Sequence, residues 1–168
     1  MNNAETVGQL FEYAIALERA TETLYGQLER MFAHYPDVAR FWKQYADEEN
    51  GHASYLERIR GGMDAERLSH PADGEMLQKA RQCLANATQE RLKDVKTLDD
   101  AHQLATELEN SETNAIFEFM VVNFSTDELA KSHRFLRTQL SAHNARLEND
   151  FPKPYNSRIA RQNVLALE

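Results

Sequence analysis

The segment Asp47-Glu48-Glu49-Asn50-Gly51-His52 places a carboxylate and an imidazole on an otherwise apolar helical face. Glu49 and His52 are three residues apart, so on a helix their side chains project from the same side. The apolar residues that share this side are Val38, Phe41, Tyr45, Leu56 and Ile59. Burial of a carboxylate and an imidazole is costly unless both find a partner. A metal ion is the usual partner of a Glu-x-x-His pair that faces the core of a helical bundle.

The composition favours a single helical domain. A length of 168 residues suits one domain with a sizeable core. Hydrophobic residues make up 42% of the chain and charged residues 27%, which is ordinary for a globular protein. The chain has only six Gly and four Pro, and it is rich in Ala, Leu, Glu, Gln and Arg. Because helix breakers are few, we expect an all-α fold.

Charge and cysteine content exclude several classes of function. The formal net charge of −8 argues against nucleic acid as a partner, because phosphate binding needs clustered Lys and Arg. Cys83 is the only cysteine, which excludes an intramolecular disulfide and a Cys-x-x-Cys metal site. Residues 1–6 lack a signal-peptide pattern, and no apolar run approaches the ~18 residues that span a bilayer. We therefore expect a cytoplasmic protein without a membrane partner.

Apolar residues at alternating steps of three and four predict four long helices, over about 5–33, 37–60, 97–123 and 125–150. Two helix starts carry capping-box patterns. Thr97 with Asp100 resembles such a box, and Ser125 with Glu128 forms a Ser-x-x-Glu box. Residues 61–97 contain a loop and a short helix over about 75–86. We expect a four-helix bundle domain over residues 1–150 and a C-terminal tail over 151–168.

The two helix pairs are related by an offset of 91 residues. Glu18 precedes His52 by 34 residues, and Glu109 precedes His143 by the same number. Apolar positions that align at this offset are Ala14 with Ala105, Leu17 with Leu108, and Leu56 with Leu147. The aligned polar residues are those that lie on apolar stripes. This coincidence predicts two equivalent halves of one polar site in the core.

These motifs resemble the rubrerythrin-like branch of the ferritin-like superfamily, over roughly residues 5–150. Members carry one Glu on the first helix, Glu-x-x-His on the second, Glu-x-x-Glu on the third and Glu-x-x-His on the fourth. The matching positions, which the resemblance implies are metal ligands, are Glu18, Glu49, His52, Glu109, Glu112 and His143. Leu140 departs from the pattern, because the family has a metal-bridging Glu there. The implied fold is an all-α, ferritin-like four-helix bundle with a long crossover between helices two and three.

The resemblance implies a non-haem dinuclear iron site that reacts with peroxide or oxygen, as in a peroxide reductase or ferroxidase. Mononuclear iron, manganese and zinc are alternatives that the same ligand types accept. Leu140 leaves three outcomes open. Glu112 or solvent takes the missing place, one metal ion is held well and the other weakly, or a structural metal remains without redox function. No catalytic residue beyond the metal ligands is expected.

The resemblance also implies partners. Rubrerythrins proper carry a rubredoxin domain with a Cys-ligated iron, and with one cysteine this chain must take electrons from a separate donor. Family members commonly pair, so we expect a homodimer. Alternatives to an oxidoreductase are a metal-binding or iron-handling protein without redox turnover and a purely structural bundle. Near the ligands, Tyr25 and Tyr45 either bond the carboxylates or simply pack, and Glu48 is expected to face solvent.

Overall fold

The computed structural model describes residues 4–152, and helices account for most of them. In chain order the helices are α1 (Val7–Met31), α2 (Pro36–Gly61), α3 (Ala65–Ser69), α4 (Gly74–Asn86), α5 (Leu98–Glu109), α6 (Thr113–Phe124) and α7 (His133–Asn149). A 3-10 turn over Gln89–Asp94 joins α4 to α5. The predicted all-α fold is confirmed. Within residues 4–152, no helix is long and apolar enough to cross a membrane.

Helices α1 and α2 form a long hairpin that provides half of the bundle. Thr6 caps α1 reciprocally, because its hydroxyl accepts from the Gln9 N–H while the Gln9 side chain accepts from the Thr6 N–H. Pro36 begins α2, at a position where a backbone N–H would have no helical partner. Across the hairpin, Arg60 bonds Glu12 at 2.8 Å. The apolar stripes of both helices therefore face the remaining elements.

The crossover between α2 and α5 lies against the first helix. Both α3 and α4 contact α1. Two backbone hydrogen bonds tie the crossover to the start of α1, from Val7 N to His70 O at 2.9 Å and from Ala72 N to Glu5 O at 2.8 Å. The short helix predicted over about 75–86 is confirmed as α4. The crossover thus covers α1, while α6 contacts α1, α2 and α7 in the bundle.

The third predicted helix begins where the sequence indicates. Thr97 is the N-cap of α5, with its hydroxyl 3.1 Å from the Asp100 N–H. The Asp100 carboxylate accepts from the Thr97 N–H at 2.8 Å, which completes the capping box. This prediction is confirmed.

The same helix is interrupted, so the prediction of one helix over 97–123 is wrong. Helix α5 ends at Glu109, and α6 begins at Thr113. In the break, the Ser111 hydroxyl donates to the Leu108 carbonyl at 2.5 Å. Ser and Asn side chains compete in this way with the helical backbone ladder. As a consequence, Glu109 and Glu112 do not share the face of one continuous helix.

The fourth helix starts later than its capping box predicts. Helix α7 begins at His133, with Ser132 as its N-cap, whose hydroxyl accepts from the Phe135 N–H at 3.3 Å. Ser125 instead accepts from the Asp127 N–H at 3.1 Å, within the turn after α6. The helix start at Ser125 is therefore a wrong prediction. Ser and Asp side chains satisfy backbone N–H groups in turns as well as at helix starts.

The end of α7 returns to the aromatic core. Phe151 packs on Phe41 and Trp42, with ring centroids 5.3 Å and 5.5 Å apart. The predicted C-terminal tail over 151–168 lies outside the described residues from 153 onward. The domain division at residue 150 stays a prediction.

Candidate metal centre

Four elements bring five of the six predicted ligands together in the core. Helix α1 contributes Glu18, α2 contributes Glu49 and His52, the last residue of α5 is Glu109, and α7 contributes His143. The His52 side chain is 22% exposed, and the other four are at most 5% exposed. The predicted spacing therefore brings together an almost entirely buried cluster of three carboxylates and two imidazoles.

The cluster consists of two groups that share Glu49. In the first group, His52 Nδ1 lies 3.1 Å from Glu49 Oε2 and 3.5 Å from Glu18 Oε2. In the second, His143 Nε2 lies 2.9 Å from Glu109 Oε2 and 3.5 Å from Glu49 Oε1. The two oxygens of Glu49 therefore face different groups, so its carboxylate would be able to hold one metal ion in each group.

Each group contains one buried polar atom without a hydrogen-bond partner among the described residues. These atoms are Glu18 Oε2 in the first group and His143 Nε2 in the second. Each atom lies near an oppositely charged group, with His143 Nε2 at 2.9 Å from Glu109 Oε2 and Glu18 Oε2 at 3.5 Å from His52 Nδ1, but without aligned hydrogen-bond geometry. A bound divalent ion would satisfy both atoms, and carboxylate and imidazole ligands suit iron, manganese and zinc. The residues present therefore fit a pair of divalent metal ions.

Two tyrosines hold the second group in place. The Tyr25 hydroxyl donates to Glu109 Oε1, which leaves Glu109 Oε2 facing His143. The Tyr45 hydroxyl donates to the backbone carbonyl of His143 at 2.7 Å. Burial and the Glu109 charge raise the pKa of Tyr25 well above its usual value, so Tyr25 stays a hydrogen-bond donor. Tyr25 therefore bonds a carboxylate, which is one of the two alternatives expected for these tyrosines. Tyr45 instead bonds the backbone carbonyl of a predicted ligand.

Glu48 does not face solvent, and that expectation is wrong. Its carboxylate contacts His143 Nδ1 and accepts from Arg146 Nη2 at 2.6 Å. Burial raises the pKa of Glu48, but His143 and Arg146 outweigh burial and lower it to about 2. An acceptor on Nδ1 fixes the ring so that Nε2 points into the cluster. The sequence feature that indicates this contact is Arg146, one helical turn after His143, because its positive charge attracts an acidic side chain to that face of α7.

Protons neutralise part of the buried charge. Burial, and then Glu18, raise the pKa of Glu49 to about 7. Burial lowers the pKa of His52, but the Glu18 and Glu49 carboxylates outweigh burial and raise it to about 11. Burial likewise opposes a charged His143, and the neighbouring carboxylates, Glu109 first, raise its pKa to about 9. Near neutral pH, both imidazoles are therefore cations that balance the carboxylates.

The sixth predicted ligand is not brought to the cluster. Glu112 precedes α6 in the break of the third helix, and its side chain is 54% exposed. Its Oε2 lies 3.6 Å from Lys79 Nζ on α4. Because the backbone does not continue as one helix from Glu109, the three-residue spacing does not place both carboxylates on one face. Glu112 is therefore not part of either group of potential ligands in the structure.

Leu140 lies beside the cluster on α7, one turn before His143, and is 8% exposed. It lines a pocket of about 320 Å³ together with both imidazoles. The other lining residues are Glu48, Phe117, Leu136, Gln139 and Arg146. The cluster is thus enclosed by tyrosines on one side and reaches a pocket on the side of Leu140.

Comparison with known families adds an independent observation. The family model described as Rubrerythrin matches residues 9–139, more than half of the chain. The chain belongs to the rubrerythrin family. No curated protein and no solved structure matches the chain significantly. This membership supports a diiron-carboxylate protein in general. The matched range includes four residues of the cluster, and His143 lies just beyond it.

Proposed function

We propose that this rubrerythrin family member binds two iron ions and is an oxidoreductase that acts on peroxide or oxygen, of the peroxide reductase or ferroxidase type. The observation that carries the proposal is that the two oxygens of Glu49 face different histidines. Oε2 faces His52, and Oε1 faces His143. Membership in the rubrerythrin family favours iron, and the three carboxylates and two imidazoles of the cluster are ligand types that iron accepts. The proposed ligands are Glu18, Glu49, His52, Glu109 and His143.

Two ferrous ions held by these residues would supply two electrons, which together with two protons reduce one peroxide to two water molecules. The side chains of the protein prepare the site for this reaction. Glu48 fixes the ring of His143, and Tyr25 fixes the carboxylate of Glu109. His52 is partly exposed, and its ring lies near that of Phe117, with ring centroids 4.3 Å apart. Both residues line the pocket beside Leu140, which connects the cluster to its surroundings.

Electrons for repeated turnover must reach the site from outside the bundle. Cys83 is the only cysteine of the chain, and it is buried. A Cys-ligated iron centre needs several thiolates, so this chain cannot build one. We propose a separate protein or small molecule as the electron donor.

Leu140 supports a second candidate function. A leucine where the family has a bridging Glu removes one ligand and lowers the negative charge of the site. This departure is compatible with a protein that binds or handles iron without redox turnover.

Anaerobic titration of the metal-free protein with ferrous iron, followed by stopped-flow mixing with peroxide and with oxygen, distinguishes these functions. The proposal predicts two irons per chain, one for each group that shares Glu49, and rapid oxidation of both. Iron that binds but is not oxidised would support the second candidate. A protein that binds no iron, and that loses no stability in Glu49→Ala, would contradict both.

Two isosteric variants sharpen the experiment. Glu49→Gln removes the shared carboxylate, so iron affinity should fall by at least ~10-fold. Glu112→Gln makes the same chemical change outside the cluster, so iron stoichiometry and affinity should stay those of the parent protein. If Glu112→Gln lost iron as Glu49→Gln does, Glu112 would be a ligand and the proposed set of five would be wrong.

A further inference from the structure

The proposed metal centre lacks one negative charge. The two groups supply three carboxylates, those of Glu18, Glu49 and Glu109. Two divalent ions bring four positive charges, so the described side chains leave one unbalanced. Glu48 does not supply the difference, because it is paired with Arg146. Glu112 does not supply it either, because it lies outside the cluster, near Lys79. An unbalanced charge in a buried site is strongly unfavourable.

The pocket beside Leu140 lies where the balancing charge is needed. Both imidazoles of the cluster line it, so an anion held there would lie next to two of the proposed metal ligands. Its volume of about 320 Å³ far exceeds the ~30 Å³ that one water takes in the liquid, so a small organic ion fits. Leu140 itself is an apolar residue at the position that aligns with Glu49 in the offset of 91.

The lining of the pocket has two kinds of surface. Leu140, Leu136 and Phe117 offer an apolar wall, while the amide of Gln139 and the guanidinium of Arg146 offer hydrogen-bond donors. The Glu48 carboxylate also lines the pocket, but it is paired with Arg146 and so brings no unpaired negative charge. A small carboxylate matches this combination, because it has one negative charge, two acceptor oxygens and a short apolar end. A metal-bound hydroxide would also bring one negative charge, but it would fill only a small part of the pocket and leave the apolar wall uncovered.

We propose that the pocket binds a small carboxylate anion, of the size of formate or acetate, which completes the metal centre in place of the Glu side chain that Leu140 replaces. The inference rests on the proposed function, since it requires two metal ions in the cluster. Occupancy of the second metal position then depends on the carboxylate as well as on the metal.

Cobalt(II) titration of the metal-free full-length protein tests this dependence without oxidation. The probe is sodium acetate, and sodium perchlorate at equal ionic strength is the control. In the parent protein, acetate should raise the affinity for the second cobalt ion by ~10-fold or more, while perchlorate should not. The measured quantities are cobalt stoichiometry and the visible absorption of bound cobalt.

Two substitutions at one position provide matched controls. Leu140→Glu supplies the carboxylate from the chain, so the second ion should bind tightly without acetate, and acetate should add nothing. Leu140→Phe fills the pocket with apolar volume, so the second ion should bind weakly with or without acetate. Circular dichroism establishes whether each variant folds, and the Leu140→Phe comparison decides the question even if Leu140→Glu does not fold.

The outcomes separate the inference from the proposed function. If the second cobalt ion binds the parent protein equally well in acetate and perchlorate, the inference is overturned and the dinuclear centre stands. If the acetate effect persists in Leu140→Phe, the anion binds elsewhere and the inference is again overturned. If neither the parent nor Leu140→Glu binds cobalt, the metal centre fails, and the inference fails with it.

Discussion

Glu48 acts on the cluster through a predicted ligand. It bonds His143 Nδ1 and pairs with Arg146, so it sets which nitrogen of the imidazole faces the carboxylates. We predict that Glu48→Gln lowers the affinity for the ion held by His143 by ~10- to 100-fold, because a neutral amide orients the ring less strongly. Competition with a chelator measures this affinity. Asp47→Asn, at an exposed neighbour paired with Lys43, is the control and should bind metal normally.

Equal metal affinity in Glu48→Gln and Asp47→Asn would show that Glu48 has no part in orienting the ring. The residue was missed in the sequence because its partner lies 95 positions away. Spacing along one helix predicts which residues share a face, but it does not predict which residue of another helix meets that face.

Protons and metal ions compete for the same atoms. The pKa of His52 is raised to about 11 and that of His143 to about 9, so both imidazoles carry protons at pH 7. Metal binds only the neutral imidazole, so binding must release these protons. We predict that metal affinity rises as the pH rises from 7 to 9, and that more than one proton is released per chain at pH 7. Calorimetry in buffers of different ionisation enthalpy counts the released protons.

A metal affinity that does not change between pH 7 and pH 9 would contradict protonated imidazoles in the metal-free cluster. Glu49 strengthens the expected trend, because its pKa of about 7 means that it loses its own proton over the lower part of the same range.

Among the helices, the C-terminal halves of α2 and α7 follow the sequence pattern, and the segment before α7 does not. The offset of 91 aligns Leu56 with Leu147, and both are buried. It also aligns Val38 with Leu129, but Val38 is buried and Leu129 is 63% exposed. Leu129 lies in the segment between α6 and α7, where a turn replaces the expected helix. A periodic apolar pattern therefore predicts a helical face but does not establish where the helix begins.

The start of α7 can be tested at its cap. Ser132 accepts a hydrogen bond from the Phe135 N–H, so Ser132→Ala should lower the free energy of unfolding by about 1 kcal/mol. Ser141→Ala changes an exposed residue within the same helix and should alter stability by less than ~0.5 kcal/mol. Urea denaturation measures both. If the two variants were equally stable, Ser132 would not be the N-cap of α7.

The break between α5 and α6 determines the ligand set. A continuous helix would have kept Glu112 on the face of Glu109, as Glu-x-x-Glu spacing predicts. The low helix propensity of Asn110 and Ser111 was visible in the sequence, but propensity alone is a weak signal. Hydrogen bonds from side chains to the backbone accompany the break. Such bonds can be identified only from the folded structure, not from the sequence.

At the scale of the whole molecule, the two helix pairs bring equivalent residues to one place. Glu18 lies beside His52, and Glu109 lies beside His143, as the common spacing of 34 residues predicts. The sequence could also predict that Glu49 has no acidic counterpart, because Leu140 occupies the aligned position. It could not predict that the two oxygens of Glu49 face different histidines, since that depends on how closely α2, α5 and α7 approach one another.

Manganese(II) loading followed by electron paramagnetic resonance shows whether Glu49 joins two metal positions, as we propose. Two manganese ions bridged by one carboxylate would lie ~3.5–4 Å apart and would be magnetically coupled. We predict two ions per chain with a coupled spectrum, and loss of the coupling in Glu49→Gln. A single uncoupled manganese ion per chain, or a spectrum that Glu49→Gln leaves unchanged, would contradict this proposal.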